Sequence, residues 1–421
     1  MNNYQKTLLS NKVPLITIPT KGSKTSTILV IFKTGSRHEN KENNGISHFL
    51  EHMFFKGTKK RPNTLILSSE LDSLGGEYNA FTSKEYTGYW IKVANNKLTK
   101  ALDILSDMLF NSKFEEEEIE REKGVIIEEL NMYQDNPRLH IEDVFEECLY
   151  GDTSAGWDTI GTKENILRFK REDFIKYLNK QYGARSAYLV LAGAIKPDDK
   201  KTIRTLFSGF SSHKFNKQPS LSEKQVKPQL KVAHKKTDQI TLALGVRTFK
   251  VGHPDEFKLK LLSVILGGSM SSRLFINLRE RQGLAYFVRT STEFYENSGY
   301  LVTQAGVPKD KVALALEIIL KEYKKITKEL ISKSELKRAK DILQGRVVLQ
   351  MEASDNLAVW YAQQAISRQE ILTPGEMLKK IKKISADDLR KIAQKIFIDK
   401  GLNLAVIGDV NEKTLKNILK F

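Results

Sequence analysis

The chain has 421 residues, 40% of them hydrophobic and 28% charged, with only 10 prolines, a composition that buries substantial cores and excludes disordered or collagen-like chains. At roughly 100–200 residues per domain this length predicts about two to four domains, and the formal charge of +17 favours acidic partners without specifying a fold. A single cysteine, Cys148, excludes a disulfide framework and any multi-cysteine metal site.

Near the start, Asn2, Asn3, Gln5, Asn11 and Pro14 interrupt the apolar residues of 1–20, so neither a secretory signal nor an anchor is expected there. No later apolar stretch approaches the ~20 residues of a membrane span, and the expectation is a cytoplasmic chain without membrane insertion. Residues 26–34, rich in β-branched side chains and closed by Gly35, predict a strand; residues 44–56 carry helical spacing and close at Gly57. A second helix over 63–74 stops at Gly75-Gly76, and 77–94 reads as two strands around a polar turn at 83–85. Helices are expected over 96–110 and 115–134. The latter opens with four glutamates, which suit a helix N-terminus, and ends at Asn136-Pro137.

Residues 211–236 shift to Ser, Lys, Gln and Pro and predict a linker between domains over 1–210 and 237–421. The two halves resemble each other. Tyr188-Leu-Val-Leu-Ala-Gly193 recurs 215 residues on as Asn403-Leu-Ala-Val-Ile-Gly408, and the same offset lays 27–32 over 242–246 and its flanks and the helix 44–56 over 259–271. Two copies of one α+β unit, each a mainly antiparallel sheet flanked by helices, is the predicted fold class.

The strongest chemical signal is His48-Phe49-Leu50-Glu51-His52 within a predicted helix. Positions i and i+4 share a helix face, so both imidazoles can converge on one metal ion with Glu51 beside them. By chance this composition gives His-x-x-acid-His about 0.014 times. A catalytic zinc takes a third protein ligand and keeps one position open. Glu122, Glu128 and Glu129 are the candidates; Glu122 and Glu129, seven apart, point one way, and Glu128 is turned off that face. One of the pair would ligate and the other brace a histidine from behind.

These residues resemble a known family. His48-Phe-Leu-Glu51-His52-Met-Phe-Phe-Lys-Gly-Thr58, preceded by Gly45-Ile46-Ser47, is similar to the motif of the pitrilysin-type inverzincin metallopeptidases. The branch it looks most like, over almost the whole chain, is that of the mitochondrial processing peptidase β subunits and their bacterial homologues. The resemblance implies two repeats forming half of a clamshell, and one Zn2+ per chain held by His48, His52 and Glu129. It further implies Glu122 behind a histidine and Glu51 as the base.

The same resemblance makes Glu77-Tyr-Asn79-Ala80-Phe81-Thr-Ser83 an edge strand on which the peptide substrate pairs as an added strand. Backbone pairing of that kind gives affinity without demanding a sequence. In the second half, Leu278-Arg279-Glu-Arg-Gln-Gly283-Leu-Ala-Tyr286 resembles the family's companion domain, whose arginine and tyrosine, seven apart, reach the substrate. Arg279 and Tyr286 would then donate to the carbonyl oxygen as it becomes an oxyanion. One departure is Ser269, after Gly267-Gly268, where relatives often continue with glycine. At 215 beyond His48, Glu51 and His52 stand Ser263, Leu266 and Gly267, so the second half is expected to be a degenerate, substrate-contacting copy without a zinc site.

The expected activity is that of a zinc endopeptidase acting on extended or unfolded peptides in an enclosed chamber. Its length resembles that of the short family members, which pair two chains, and a homodimer is expected. The competing reading is a non-catalytic peptide-binding or structural subunit of a hetero-oligomeric processing complex. Nucleic acid is not an expected partner, because the basic residues are scattered and no reader motif occurs. No Gly-x4-Gly-Lys loop occurs either, so ATP dependence is not expected.

Overall fold

A computed structural model describes residues 4–212, 215, 217–221 and 224–421. By contact, the chain forms two compact units, one of Met1–Asn131, Asp158–Pro219 and Val348–Thr373, the other of Met132–Trp157, Ser220–Val347 and Pro374–Phe421.

The first unit holds a six-stranded sheet of β1 (Gln5–Leu8), β2 (Pro14–Pro19), β3 (Thr25–Phe32), β4 (Glu77–Thr82), β5 (Thr87–Ala94) and β6 (Ala187–Gly193). Their order is β1-β2-β6-β3-β5-β4, with β2 and β6 parallel and the other neighbours antiparallel. Among the helices that interleave with these strands are α1 (Ile46–Met53), α2 (Thr64–Ser73), α3 (Leu98–Asn111) and α4 (Glu116–Asp135). Seven of the eight β3 residues are buried, as befits a central strand covered on both faces. α3 lies against β5 and β3, and the helix Ser354–Ser367 lies against β6 and β3. That helix packs Leu357, Ala358, Tyr361 and Ala362 onto Ile16, Ile18, Leu29, Ile31 and Val190.

The second unit repeats the plan with β7 (Gln229–Ala233), β8 (Gln239–Arg247), β9 (Phe287–Phe294), β10 (Gly299–Pro308) and β11 (Leu402–Ile407), in the order β7-β11-β8-β10-β9. Its parallel pair, β7 and β11, keeps the register of β2 and β6. Leu230 faces Leu404 as Leu15 faces Leu189, each 215 residues on. The α+β class and the duplication are therefore both present in the fold.

The contiguous boundaries expected from composition differ from these units, most plainly in an exchange of helices. α5 (Pro137–Tyr150) belongs to the second unit, where Ile141, Val144, Phe145 and Cys148 pack on Ala243, Tyr300, Val302 and Ala405. The helix Ser354–Ser367, about one repeat later, belongs to the first. Each sheet is thus covered by a helix from the other half of the sequence. Composition does not reveal this, because an apolar helix face marks a helix for burial without naming the sheet that it covers. Within the expected linker 211–236, Gln229–Ala233 forms β7; His213, Lys214, Asn216, Ser222 and Glu223 lie outside the described residues. Asn136-Pro137 also starts a helix: the Asn136 side chain accepts the Arg138 N–H, with proline in the first turn of α5. Among the described residues no helix is long and apolar enough to cross a membrane.

Candidate metal centre

α1 has eight residues, too few to be stable alone, and it is fixed at its N-terminus from outside. Gly45 precedes it at φ 100°, a conformation that side-chain-bearing residues avoid, and a Cβ there would stand 2.4 Å from the Ile160 carbonyl oxygen. Glycine has no side chain with which to cap, and Glu39 does so instead. Glu39 Oε2 accepts the Gly45 N–H and Oε1 the Ser47 N–H, each at 2.8 Å, which places a carboxylate at the positive end of the helix. Burial nevertheless pushes the Glu39 carboxyl above its ordinary pKa. The Ser47 and Tyr177 hydroxyls bond at 2.8 Å, and the Phe49 ring packs on Phe174 at 4.9 Å. Held this way, α1 turns His48 and His52 to one side.

There they meet Glu129 of α4. His48 Nε2 lies 3.6 Å from Glu129 Oε1, and His52 Nε2 lies 3.4 Å from Glu129 Oε2. These separations exceed those of ordinary N–H···O hydrogen bonds. They match the ~3.4 Å expected between ligand atoms ~2.1 Å from a tetrahedral zinc. One atom from each residue falls within 4.8 Å of the others, and no other such group of His, Cys, Asp and Glu occurs among the described residues. Two imidazole nitrogens and one carboxylate are the donor set of a catalytic zinc site that keeps a position open, so the residues fit this metal. Glu128 is exposed.

Electrostatics favour a cation here. His48 and His52 hold the Glu129 carboxyl well below the usual carboxylate range. Burial works against a charged His52, yet Glu122 and Glu129 raise it to about 9. Glu122 is buried as well, and His52 and Lys56 overcome that burial and hold its pKa below normal. Its Oε1 stands 2.9 Å from His52 Nδ1, which fixes the ring and directs Nε2 toward Glu129. His48 Nδ1 is buried with no hydrogen-bond partner among the described residues, so the two rings are braced unequally.

Glu51 is adjacent to His52 in the chain. Burial raises its pKa, opposed first by the Thr82 hydroxyl, whose Oγ1 donates to Glu51 Oε2 at 2.6 Å. Thr82 ends β4, the edge strand that also carries Asn79, Ala80 and Phe81. Asn79 Oδ1 accepts the Ala80 N–H at 2.8 Å. The Phe81 ring lies over Gly88, where a Cβ would come within 2.3 Å of it, and packs against the cluster beneath Ser354–Ser367. Phe81 thus commits its side chain to packing and leaves its backbone on the edge strand. Thr82 and Lys56 were not singled out by sequence reasoning, although one directly follows Asn79-Ala80-Phe81 and the other lies one turn beyond His52.

Arg279 and Tyr286 belong to the second unit. Arg279 lies in the π-helical segment Phe275–Glu280 with its guanidinium 5.0 Å from the centre of the Phe275 ring. The Tyr286 side chain is exposed, and its backbone N–H bonds the Gly306 carbonyl at 3.2 Å. Ser263, Leu266 and Gly267 are buried in the helix Glu256–Gly267 and offer no set of metal donors.

Known proteins match both halves. Residues 15–163 match the insulinase family, peptidase family M16, and residues 168–343 match the peptidase M16 inactive domain. An uncharacterized zinc protease of Bacillus subtilis is 34% identical over 366 residues, 87% of this chain and 89% of that protein. The mitochondrial-processing peptidase subunit beta of Bos taurus is 30% identical over 407 residues, 93% of this chain and 81% of that protein. Among solved structures, a protease from Helicobacter pylori shares the fold with a TM-score of 0.92 at 22% identity, over 97% of this chain and 100% of that one. A chain of Complex III2 from Candida albicans does so at 0.82 and 17% identity, over 99% and 100%. By its two matched domains and these relatives, the chain belongs to the insulinase family of peptidases, family M16.

Proposed function

We propose that the chain is a zinc-dependent endopeptidase that cleaves extended or unfolded peptides in an enclosed chamber. The observation that carries this reading is the convergence of His48, His52 and Glu129, with Glu51 beside them and bonded to an edge strand. Relatives named as zinc proteases support it. Zinc held by those three residues, one ion per chain, would supply Lewis acidity, polarising the scissile carbonyl and acidifying water.

The chain's own groups do the rest. Glu51 takes the proton of the attacking water and returns it to the leaving amine, as general base and then acid. Glu122 keeps the His52 ring turned for ligation. The backbone of Asn79, Ala80 and Phe81 pairs with the peptide and orients it. Arg279 and Tyr286 donate to the developing oxyanion. The state we propose is a homodimer, with a subunit of a hetero-oligomeric complex as the second reading, favoured by relatives named as a subunit and as part of a complex.

The test is metal content together with cleavage of a quenched-fluorescent peptide library by wild type, Glu51→Gln and Glu129→Gln. The expected result is about one zinc per chain and chelator-sensitive cleavage. Glu51→Gln should keep the metal and lose turnover, and Glu129→Gln should lose both. Zinc without cleavage of any peptide would favour the subunit reading, and full activity in either variant would overturn the assignment.

A further inference from the structure

Thr82 stands where two parts of the site meet. Its hydroxyl makes the only hydrogen bond to the Glu51 carboxylate among the described residues, at 2.6 Å to Oε2, and Oε1 makes none. Its backbone belongs to β4, and the strand register shows which way that backbone faces. The Ser83 N–H donates to the Tyr86 carbonyl at 2.9 Å, so Ser83 and Tyr86 form a hydrogen-bonded pair at the end of the hairpin. Hydrogen-bonded and non-hydrogen-bonded pairs alternate along an antiparallel ladder. Counting back through Thr82↔Thr87, Phe81↔Gly88 and Ala80↔Tyr89, Thr82 and Ala80 are non-hydrogen-bonded positions. Their N–H and C=O groups point away from β5 to the free edge. The Ala80 N–H bears this out, being bonded by the Asn79 side chain and not by a strand.

We infer that Thr82 is a positioning residue that ties the Glu51 carboxylate to the strand edge on which the peptide is aligned. With Oε2 held by the hydroxyl, rotation about the last side-chain bonds of Glu51 is restricted, and Oε1 is the oxygen left to take the proton. A peptide paired with the edge would meet the Thr82 backbone, and the same residue sets where the base stands. Strand and base therefore keep one spacing even though they belong to different elements, and the reach of a general base is sensitive to shifts of about 1 Å. Threonine suits the position because its branched Cβ stiffens χ1 while its hydroxyl donates.

This inference rests on the peptidase reading, and the experiment separates the two. Thr82→Val, Thr82→Ser and Glu51→Gln are compared with wild type for kcat and KM on a cleaved quenched-fluorescent peptide, for bound zinc, and for thermal unfolding. Thr82→Val should keep zinc content and KM within about twofold and lower kcat about 10–100-fold. Thr82→Ser, which restores the donor, should recover most of kcat. Peptide affinity measured in the Glu51→Gln background should be unchanged by adding Thr82→Val.

An active wild type whose kcat is unaffected by Thr82→Val overturns the role of Thr82 and leaves the peptidase reading intact. So does equal loss in Thr82→Ser and Thr82→Val, or a loss that falls on KM, zinc content or folding. A wild type that cleaves no peptide defeats the peptidase reading, and with it this inference.

Discussion

Lys56 Nζ stands 2.5 Å from Glu122 Oε2, on the oxygen opposite the one that holds His52 Nδ1. A buried carboxylate kept ionised by a lysine on one side can orient a histidine on the other. Replacing Glu122 with glutamine removes the charge and the ion pair while keeping a hydrogen-bond acceptor of the same size. Zinc affinity is expected to fall about 10–100-fold, read by competition with a chromophoric chelator. An unchanged affinity would show that the brace does not tune the metal site.

Gly45→Ala tests how α1 is set. The left-handed backbone there costs an alanine about 1–2 kcal/mol, and its Cβ would press against the Ile160 carbonyl oxygen, which demands a backbone shift. A lowered melting temperature is expected, with weakened zinc binding, because the displaced helix carries both histidines. Zinc titration of the soluble variant checks the second effect, which a stability loss elsewhere in the unit would not produce.

A pH dependence of stability follows from the second unit. Burial and then the neighbouring Glu146 and Glu142 push the Glu293 carboxyl up to about 8, with Lys260 pulling weakly the other way. Tyr295 and Tyr300 donate to Glu146, the latter at 3.1 Å. An unfolded glutamate loses its proton near its ordinary value of 4.5, so between about pH 4.5 and 8 the folded chain binds more protons than the unfolded one. Stability then falls as pH rises through that window. Glu293→Gln should melt about 2–4 °C higher than wild type at pH 8, with the gap shrinking toward pH 5. A gap of the same size at both pH values would count against the carboxyl as its source.

The exchanged helices predict how the chain behaves when divided. A fragment of residues 1–212 lacks Ser354–Ser367 and leaves Ile16, Ile18, Leu29, Ile31 and Val190 without their cover. It should aggregate when expressed alone and become soluble when co-expressed with 213–421, as judged by size-exclusion chromatography. In the intact chain, Tyr361→Ala removes a fully buried ring from that contact and should cost about 3–5 kcal/mol.

Much of this architecture was legible because its signals are local. The i, i+4 histidines, the spacing of Glu122 and Glu129, and the polar turn between β4 and β5 each lie within a few turns of chain, and the 215-residue offset survives in matched strand registers. Other features were not legible, for physical reasons. Lys56 reads as a surface lysine until the fold brings α4 beside it. The bond from Thr82 to Glu51 spans 31 residues and depends on how α1 lies against β4. β7 is a partly buried edge strand whose Gln-Leu-Lys-Val-Ala lacks a clear apolar face. Which sheet an amphipathic helix will cover is not written in its own pattern: α5 is flanked in sequence by the first unit on both sides and packs on the second.

That last point bears on descent. If the two halves arose from one shorter gene, its product carried within each repeat a helix that, in today's arrangement, serves the other copy's sheet. Such an ancestor would have met its match only in a second molecule, trading helices with it as a swapped pair. Fusion of the two genes would then have joined partners that already depended on each other. Only after that could one copy shed its histidines while the other kept them, because separate identical chains must change together.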